Sequence, residues 1–278
     1  MKTVLTIAGF DPSSGAGVTA DLMVFAAHGL FGTSAITSLT VQSTLGVVAS
    51  HAVEAAIVLP TLRCLEQDLP AAGIKIGMLA TAPVVAAVAE FVAEVRERRS
   101  ELIVVLDPVL RSSSGRELLD GAGVELLRRR LLKLVDWVTP NLDELELLTG
   151  QAIGNREQLA AAAVALQQEI AGLGGRAQVL AKGGHLEEQE ASDDLLLTRD
   201  GGSHWLAGER VATRSTHGTG CALSSALLSR LVLGDAPLAA AEAAKRYVEG
   251  ALRSAVPLGQ GHGPMHHLWP LRNASPLA

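Results

Sequence analysis

Short β-branched runs alternate with longer helical runs along nearly the whole chain. "TVLTIAG" reads as a buried strand that stops at Gly9, and "AGVTADLMVFAAHG" as a helix with Gly29 as its C-cap. "TSAITSLTVQS" and "GVVASHAV" read as strands, and "GIKIGM" as another. "LPTLRCLEQDLP" between them reads as a short helix bounded by prolines, with Cys64 in its core face. "PVVAAVAEFVAEVRERR" is expected to be a helix with Pro in its first turn and Arg in its last, as the macrodipole favours. The strands "ELIVVLDP", "DWVTPN" and "AQVLAKGG" then alternate with the helices "GVELLRRRLLKL", "LDELELLTG" and "NREQLAAAAVALQQEIAGLG". "DDLLLTRD" and "SHWLAGER" flank the turn "DGGS" as a hairpin, and the helices "GTGCALSSALLSRLVLG" and "PLAAAEAAKRYVEGALRSAV" follow.

Strands joined by helices of this length need right-handed crossovers, which build a mostly parallel sheet covered on both faces. The predicted class is therefore α/β, with three layers. No Pro/Ser-rich linker and no internal repeat divides residues 1–278, so one domain is expected, and 48% hydrophobic residues suffice for a large core. Ligands of such sheets bind beyond the carboxyl ends of the strands, so functional residues should lie just after strands.

A formal net charge of −6 argues against a nucleic-acid partner, which needs a basic face. Apolar runs fall short of the ~18 to 20 residues of a membrane span, so no membrane partner is expected. The N-terminus lacks the apolar core of a signal peptide, and two cysteines make no disulfide framework. A cytoplasmic location follows as the expectation.

Several motifs fall where the topology wants them. "GFDPSSGAGVTAD" follows the first strand with three glycines before Asp21, and it matches neither a Walker loop nor a dinucleotide fingerprint. Gln42, near the end of a strand, carries an amide that suits a heterocycle edge. Asp107 in "LDPV" and Asn141, Asp143 and Glu144 in "TPNLDE" offer the oxygen ligands Mg²⁺ prefers, although Asp143 and Glu144 also suit a helix first turn. Lys182 in "AKGGH" sits beside a glycine turn and suits a phosphate, or simply solvent. In "HGTGC", Gly218, Thr219, Gly220 and Cys221 head an apolar helix and suit an anion, while the helix field favours a thiolate. A thiol hydrolase built on His217 and Cys221 is disfavoured, because no orienting acid is evident. The histidines of "GHGPMHH" read as a structured loop rather than a metal site. Together these motifs describe an ATP-dependent phosphotransferase without a P-loop.

The spaced set "AGFDPSSGAGVTAD", "KIGM", "LDPV", "TPNLDE", "AKGGH", "HGTGC" and "GHGP" resembles the ribokinase-like superfamily. Within it, the set is most similar to the hydroxymethylpyrimidine/phosphomethylpyrimidine kinases of thiamine biosynthesis. The resemblance implies a three-layer α/β/α ribokinase-like fold with a mostly parallel central sheet, with ATP and Mg²⁺ as cofactors and a homodimer. It implies that Gly9, Asp21, Gln42 and Met78 hold the pyrimidine, that Lys182 steadies the transferring phosphate, and that Asp107, Thr139 and Gly218 lie with the nucleotide. Asn141, Glu144 and Asp107 would organise Mg²⁺, and Gly218 to Cys221 would form the anion hole. Cys221 stands where sugar kinases of the superfamily carry a base Asp, which implies either that its thiolate takes the hydroxyl proton or that it only helps shape the anion hole. Pyridoxal kinase, or a catalytically silent pyrimidine-binding regulator, is the alternative activity. Ser13 and Ser14 replace glycines usual in the first loop, and "LRSSSG" with Arg111 replaces a smaller stretch after "DPV".

Overall fold

A computed structural model describes residues 1–112, 115–184, 186 and 191–271. His185 of "AKGGH", Ser113 and Ser114 of "LRSSSG", and residues 272–278 of the expected domain lie outside the described residues. Nine strands form one sheet: β1 (Thr3–Phe10), β2 (Phe31–Ser43), β3 (Gly46–Ala52), β4 (Gly73–Ile76), β5 (Ile103–Leu106), β6 (Trp137–Val138), β7 (Gln178–Ala181), β8 (Asp194–Leu197) and β9 (Ser203–Leu206). Their order is β3-β2-β1-β4-β5-β6-β7-β8-β9. The run from β2 to β7 is parallel, while β3, β8 and β9 join through antiparallel pairings. The chain leaves β1 toward β2 on one side and returns to β4 on the other, so the order reverses at β1. That reversal opens a crevice above the carboxyl ends of the strands.

Helices cover both faces, as the alternation of strands and helices predicts. One layer holds α2 (Ala55–Asp68), α3 (Ala82–Arg98), α5 (Leu142–Thr149) and α6 (Arg156–Gly172), with Ile74 and Ile76 of β4 facing its core. The short α4 (Gly121–Leu126) belongs to this layer and runs into a π-type turn, Leu127–Leu131, and a 3₁₀ turn, Leu132–Leu134. The opposite layer holds α1 (Gly17–Ala27), α7 (Thr219–Leu233) and α8 (Pro237–Arg253), packed on Val4, Val105 and Leu180. Gly29 follows α1 at φ 73, the left-handed conformation its predicted capping role requires.

Two local expectations fail. Helix α2 starts at Ala55 and carries Pro60 inside it, because burial of Val58 and Leu62 against the sheet outweighs the one hydrogen bond that proline removes. Cys64 is exposed on that helix rather than in the core, since Val58 and Leu62 define the buried stripe.

Alternation along β4 turns Lys75 away from Ile74 and Ile76 and into the opposite layer, where it is fully buried. Its ammonium lies 2.8 Å from Asp21 Oδ2 and 3.0 Å from Oδ1. The Thr6 hydroxyl donates to Asp21 Oδ2 at 2.6 Å and the Ser225 hydroxyl to Oδ1 at 2.7 Å. The pair thus joins β1, β4, α1 and α7. Lys75→Met leaves the Asp21 charge buried without its cation, and an expected loss of about 3–5 kcal/mol is measurable by urea unfolding.

Candidate active site

The strands β1, β5, β6 and β7 each deliver a polar group just past their ends. A register shift after Ala8 ends the regular β1–β2 ladder, and the chain turns through Asp11 to Gly17 into α1. Gly17 has φ 61, and a Cβ there would lie 2.2 Å from the Gly9 carbonyl oxygen, so the turn requires glycine. Ser14 also has a positive φ of 58, a conformation glycine adopts at no steric cost, so the serine in this loop occupies a glycine-like position. Met78 follows β4, Asp107 follows β5, Asn141 follows β6 and Lys182 follows β7. Together with the first turn of α7 they line one cleft of about 810 Å³. That volume accommodates a small heterocycle and a nucleotide side by side.

One end of the cleft is floored by Gly9 and Met78 and bordered by Gln42. A Cβ on Gly9 would lie 3.0 Å from Met78 Sδ, so glycine leaves the width a flat ring needs. Asp21, expected at this end, is absent from the cleft wall. Lys75, Thr6 and Ser225 consume its carboxylate in the core, so it braces the site rather than meeting a ligand.

The middle of the cleft concentrates charge. Lys182 Nζ lies 2.8 Å from Asp107 Oδ1 and 3.7 Å from Glu144 Oε2. Burial pulls the Lys182 ammonium down, but the carboxylates of Asp107 and Glu144 overcome this and hold it charged. Burial pushes the Asp107 carboxyl up, but Lys182 and Lys75 reverse that and keep it below the usual carboxylate range. Glu144 is pushed up to about 7 by burial and by the Asp107 charge, against the pull of Lys182. Thr139, expected beside a nucleotide, is fully buried behind Asp107 and donates its hydroxyl to Oδ1 at 3.1 Å. It orients Asp107 and does not line the cleft.

Asn141 and Glu144 form a reciprocal cap at the start of α5. Asn141 Oδ1 accepts from the Glu144 amide at 2.9 Å, and Glu144 Oε2 accepts from the Asn141 amide at 2.8 Å. Glu144 Oε1 has no hydrogen-bond partner among the described residues. This free, cleft-facing oxygen beside Asp107 is hard-ligand chemistry that suits Mg²⁺. Among the described residues no group of three or more His, Cys, Asp or Glu side chains could hold a metal by itself. That arrangement still fits Mg²⁺, which keeps waters and shares one or two carboxylates with ligand phosphates.

The first turn of α7 closes the centre. Gly218, its N-cap, has φ 83, and the first helical bond runs from Ala222 N to the Gly218 carbonyl. The amides of Gly220 and Cys221 therefore have no intrahelical acceptor at the cleft wall, an arrangement that could hold an anion. A Cβ on Gly220 would stand 3.1 Å from Lys182 Nζ, so the hole and the lysine share one space. The thiolate expected of Cys221 is not what this site favours. Burial pushes the thiol up to about 11, Lys75 pulls it down, and Asp21 and Asp107 push it up again. The helix field that suggested a low value is outweighed because the sulfur is desolvated and two carboxylates stand behind it.

Asp11, which carries no expected role, and His217 and His267, expected to play no catalytic part, also shape the site. Asp11 gathers the amides of Ser13, Gly15 and Ala16, and His217 reaches it across the cleft. His267 Nε2 donates to the Gly15 carbonyl at 3.0 Å, so "GHGPMHH" is the expected structured loop. Glycine crowding around Asp11 was the available signal, but its partner His217 lies 206 residues away. Arg111 lines the outer cleft. In a Cys64→Ser background at pH 8.5, Cys221 should react with iodoacetamide at least about tenfold more slowly than Cys64 does in the parent protein, read by intact mass.

A family model described as phosphomethylpyrimidine kinase matches residues 11–266. The chain is 40% identical over 269 residues to the hydroxymethylpyrimidine/phosphomethylpyrimidine kinase of Haemophilus influenzae, covering 96% of this chain and 97% of that one. It is 41% identical over 267 residues to the thiamine biosynthesis bifunctional protein ThiED of Geobacter sulfurreducens, covering 96% of this chain and 52% of that longer protein. In structure it is similar to an ADP complex of Bacillus subtilis pyridoxal kinase, with TM-score 0.84, 28% identity, and 96% and 97% of the two chains covered. With this fold and these motifs at its strand ends, the chain belongs to the phosphomethylpyrimidine kinase family, a family of phosphotransferases.

Proposed function

We propose that the chain transfers the γ-phosphate of ATP to the hydroxymethyl group of 4-amino-5-hydroxymethyl-2-methylpyrimidine, and a second phosphate to the monophosphate product, in thiamine biosynthesis. The observation that carries this reading is one cleft in which a ring-sized slot, a charged lysine and an anion hole lie in sequence. Gly9 and Met78 take the ring faces, and the Gln42 amide reads its polar edge. Lys182 and the free amides of Gly220 and Cys221 receive the transferring phosphoryl group. The apolar far arm, with Val211, Leu223, Val248 and Leu252, suits the purine of the nucleotide.

Glu144, Asn141 and the Oδ2 side of Asp107 would hold Mg²⁺, which when bound neutralises phosphate charge. Phosphoryl transfer with a loose transition state depends on position and charge, and little on early proton removal. Cys221 as a neutral thiol fits that demand: it shapes the hole and its sulfur accepts the Gly17 amide. The transfer places no new charge on the thiol, so its burial is no obstacle.

ADP release with the hydroxymethylpyrimidine, its monophosphate and pyridoxal, with products identified by mass, tests the reading. Turnover of the first two is expected, and turnover of pyridoxal alone would replace it with the pyridoxal kinase alternative. Lys182→Ala should lower kcat by about 10²–10³-fold, because it removes a cation from the transferring group.

A homodimer is part of the same proposal. The β2–β3 hairpin exposes Leu39, Val41, Leu45 and Val48, with Leu45 at 72% and Val48 at 71%. This apolar stripe suits a second copy of the chain. Light scattering should report a dimer, and Val48→Asp should shift it to a monomer.

A further inference from the structure

The two glycine loops of the cleft are interlocked around Gly15. Its amide donates to Asp11 Oδ2 at 3.1 Å, and its carbonyl accepts from His267 Nε2 at 3.0 Å. A Cβ on Gly15 would lie 2.3 Å from the His217 ring, and one on Gly218 only 1.9 Å from the Gly15 carbonyl oxygen. No side chain separates residues 15 and 218, so the two loop backbones pack directly on one another. A direct side-chain tie between them is His217 Nε2, which donates to Asp11 Oδ2 at 2.7 Å. Asp11 also receives the Ser13 amide and hydroxyl on its other oxygen, and the Gln42 side chain bonds to it as well. Burial alone would raise the Asp11 carboxyl, but these donors, His217 first, hold it far below the usual range, so it stays an anion. His217 Nε2 is thus engaged by Asp11, and the sulfur four positions later is met by the Gly17 amide.

We infer that Asp11 and His217 are a positioning pair that locks the loop of residues 11–17 to the anion hole of residues 218–221. Under the proposed function, which this inference deepens, the first loop carries the acceptor and the second the phosphoryl group. The pair then holds nucleophile and electrophile in one frame. Neither residue exchanges a proton with substrate. Their contribution is alignment, for which a displacement of about 1 Å costs on the order of 10²-fold in rate.

The test measures kcat and KM for ATP and the pyrimidine in His217→Ala, His217→Gln, Asp11→Asn and Cys221→Ser, with the doubles His217→Ala/Asp11→Asn and His217→Ala/Cys221→Ser. Thermal melting confirms folding in each case. His217→Ala should lower kcat about 100-fold with both KM values within about threefold. Glutamine can place an N–H where Nε2–H stands, so His217→Gln should recover to within about tenfold of the parent. The losses should fail to multiply in the double with Asp11→Asn and should multiply in the double with Cys221→Ser. The inference is overturned if His217→Gln is as poor as His217→Ala, or if losses multiply with Asp11→Asn. It is equally overturned if they fail to multiply with Cys221→Ser, which would make His217 a partner of the thiol. If Asp11→Asn does not fold, the glutamine rescue and the Cys221 cycle still decide. An enzyme that phosphorylates only pyridoxal would refute the pyrimidine reading yet leave every one of these ratios measurable with pyridoxal.

Discussion

A fully buried ion pair, Lys75 with Asp21, underlies the site. Two charges taken out of water are stabilising only when each is met by good partners, and here Thr6 and Ser225 complete the shell of the carboxylate. Because those partners come from β1, β4, α1 and α7, the pair fixes the strand ends at the crevice against the helix that carries the anion hole. It also leaves a permanent cation behind Cys221, where no water screens it. The same contacts occupy the carboxylate of Asp21 within the core, behind the cleft wall.

Charge in the cleft is divided by depth. Asp107, anchored by Thr139, is the ionised base of the Lys182 pair, whereas Glu144 next to it is driven toward neutrality. Two carboxylates on one lysine cannot both be fully stabilised in a dry site, and burial separates them. The result is a lysine held charged near the orphan amides of α7, with one carboxylate oxygen left open for a cation. Electrostatic preorganisation of this kind needs no movement of charge by the protein when the phosphoryl group passes. The neutral thiol of Cys221 is consistent with that economy: an anion beside a transferring phosphate would oppose it.

The alternation of strands and helices, the parallel sheet and the position of each motif after a strand were legible in the sequence, because they follow from period, capping and crossover geometry. So were Gly9, Gln42, Met78, Asp107, Asn141, Glu144, Lys182 and the Gly218–Cys221 turn as cleft residues, since each ends a strand or opens a helix. Asp21 and Thr139 looked equally exposed to ligand in sequence, but the face on which each side chain emerges put them behind the wall. Cys64 was misplaced for the same reason: an apolar helix does not announce which residues its neighbours cover.

What the sequence determined by itself was local: where elements begin, which glycines must turn, and which chemical groups stand at strand ends. The tertiary structure alone decided the state of those groups. Desolvation and the charges of distant residues set the Cys221 thiol against the pull of its own helix. The partnership of Asp11 with His217 likewise spans 206 positions of chain, and it exists only because both loops meet at Gly15. Ionisation and long-range pairing depend on three-dimensional distance, which a linear sequence does not carry.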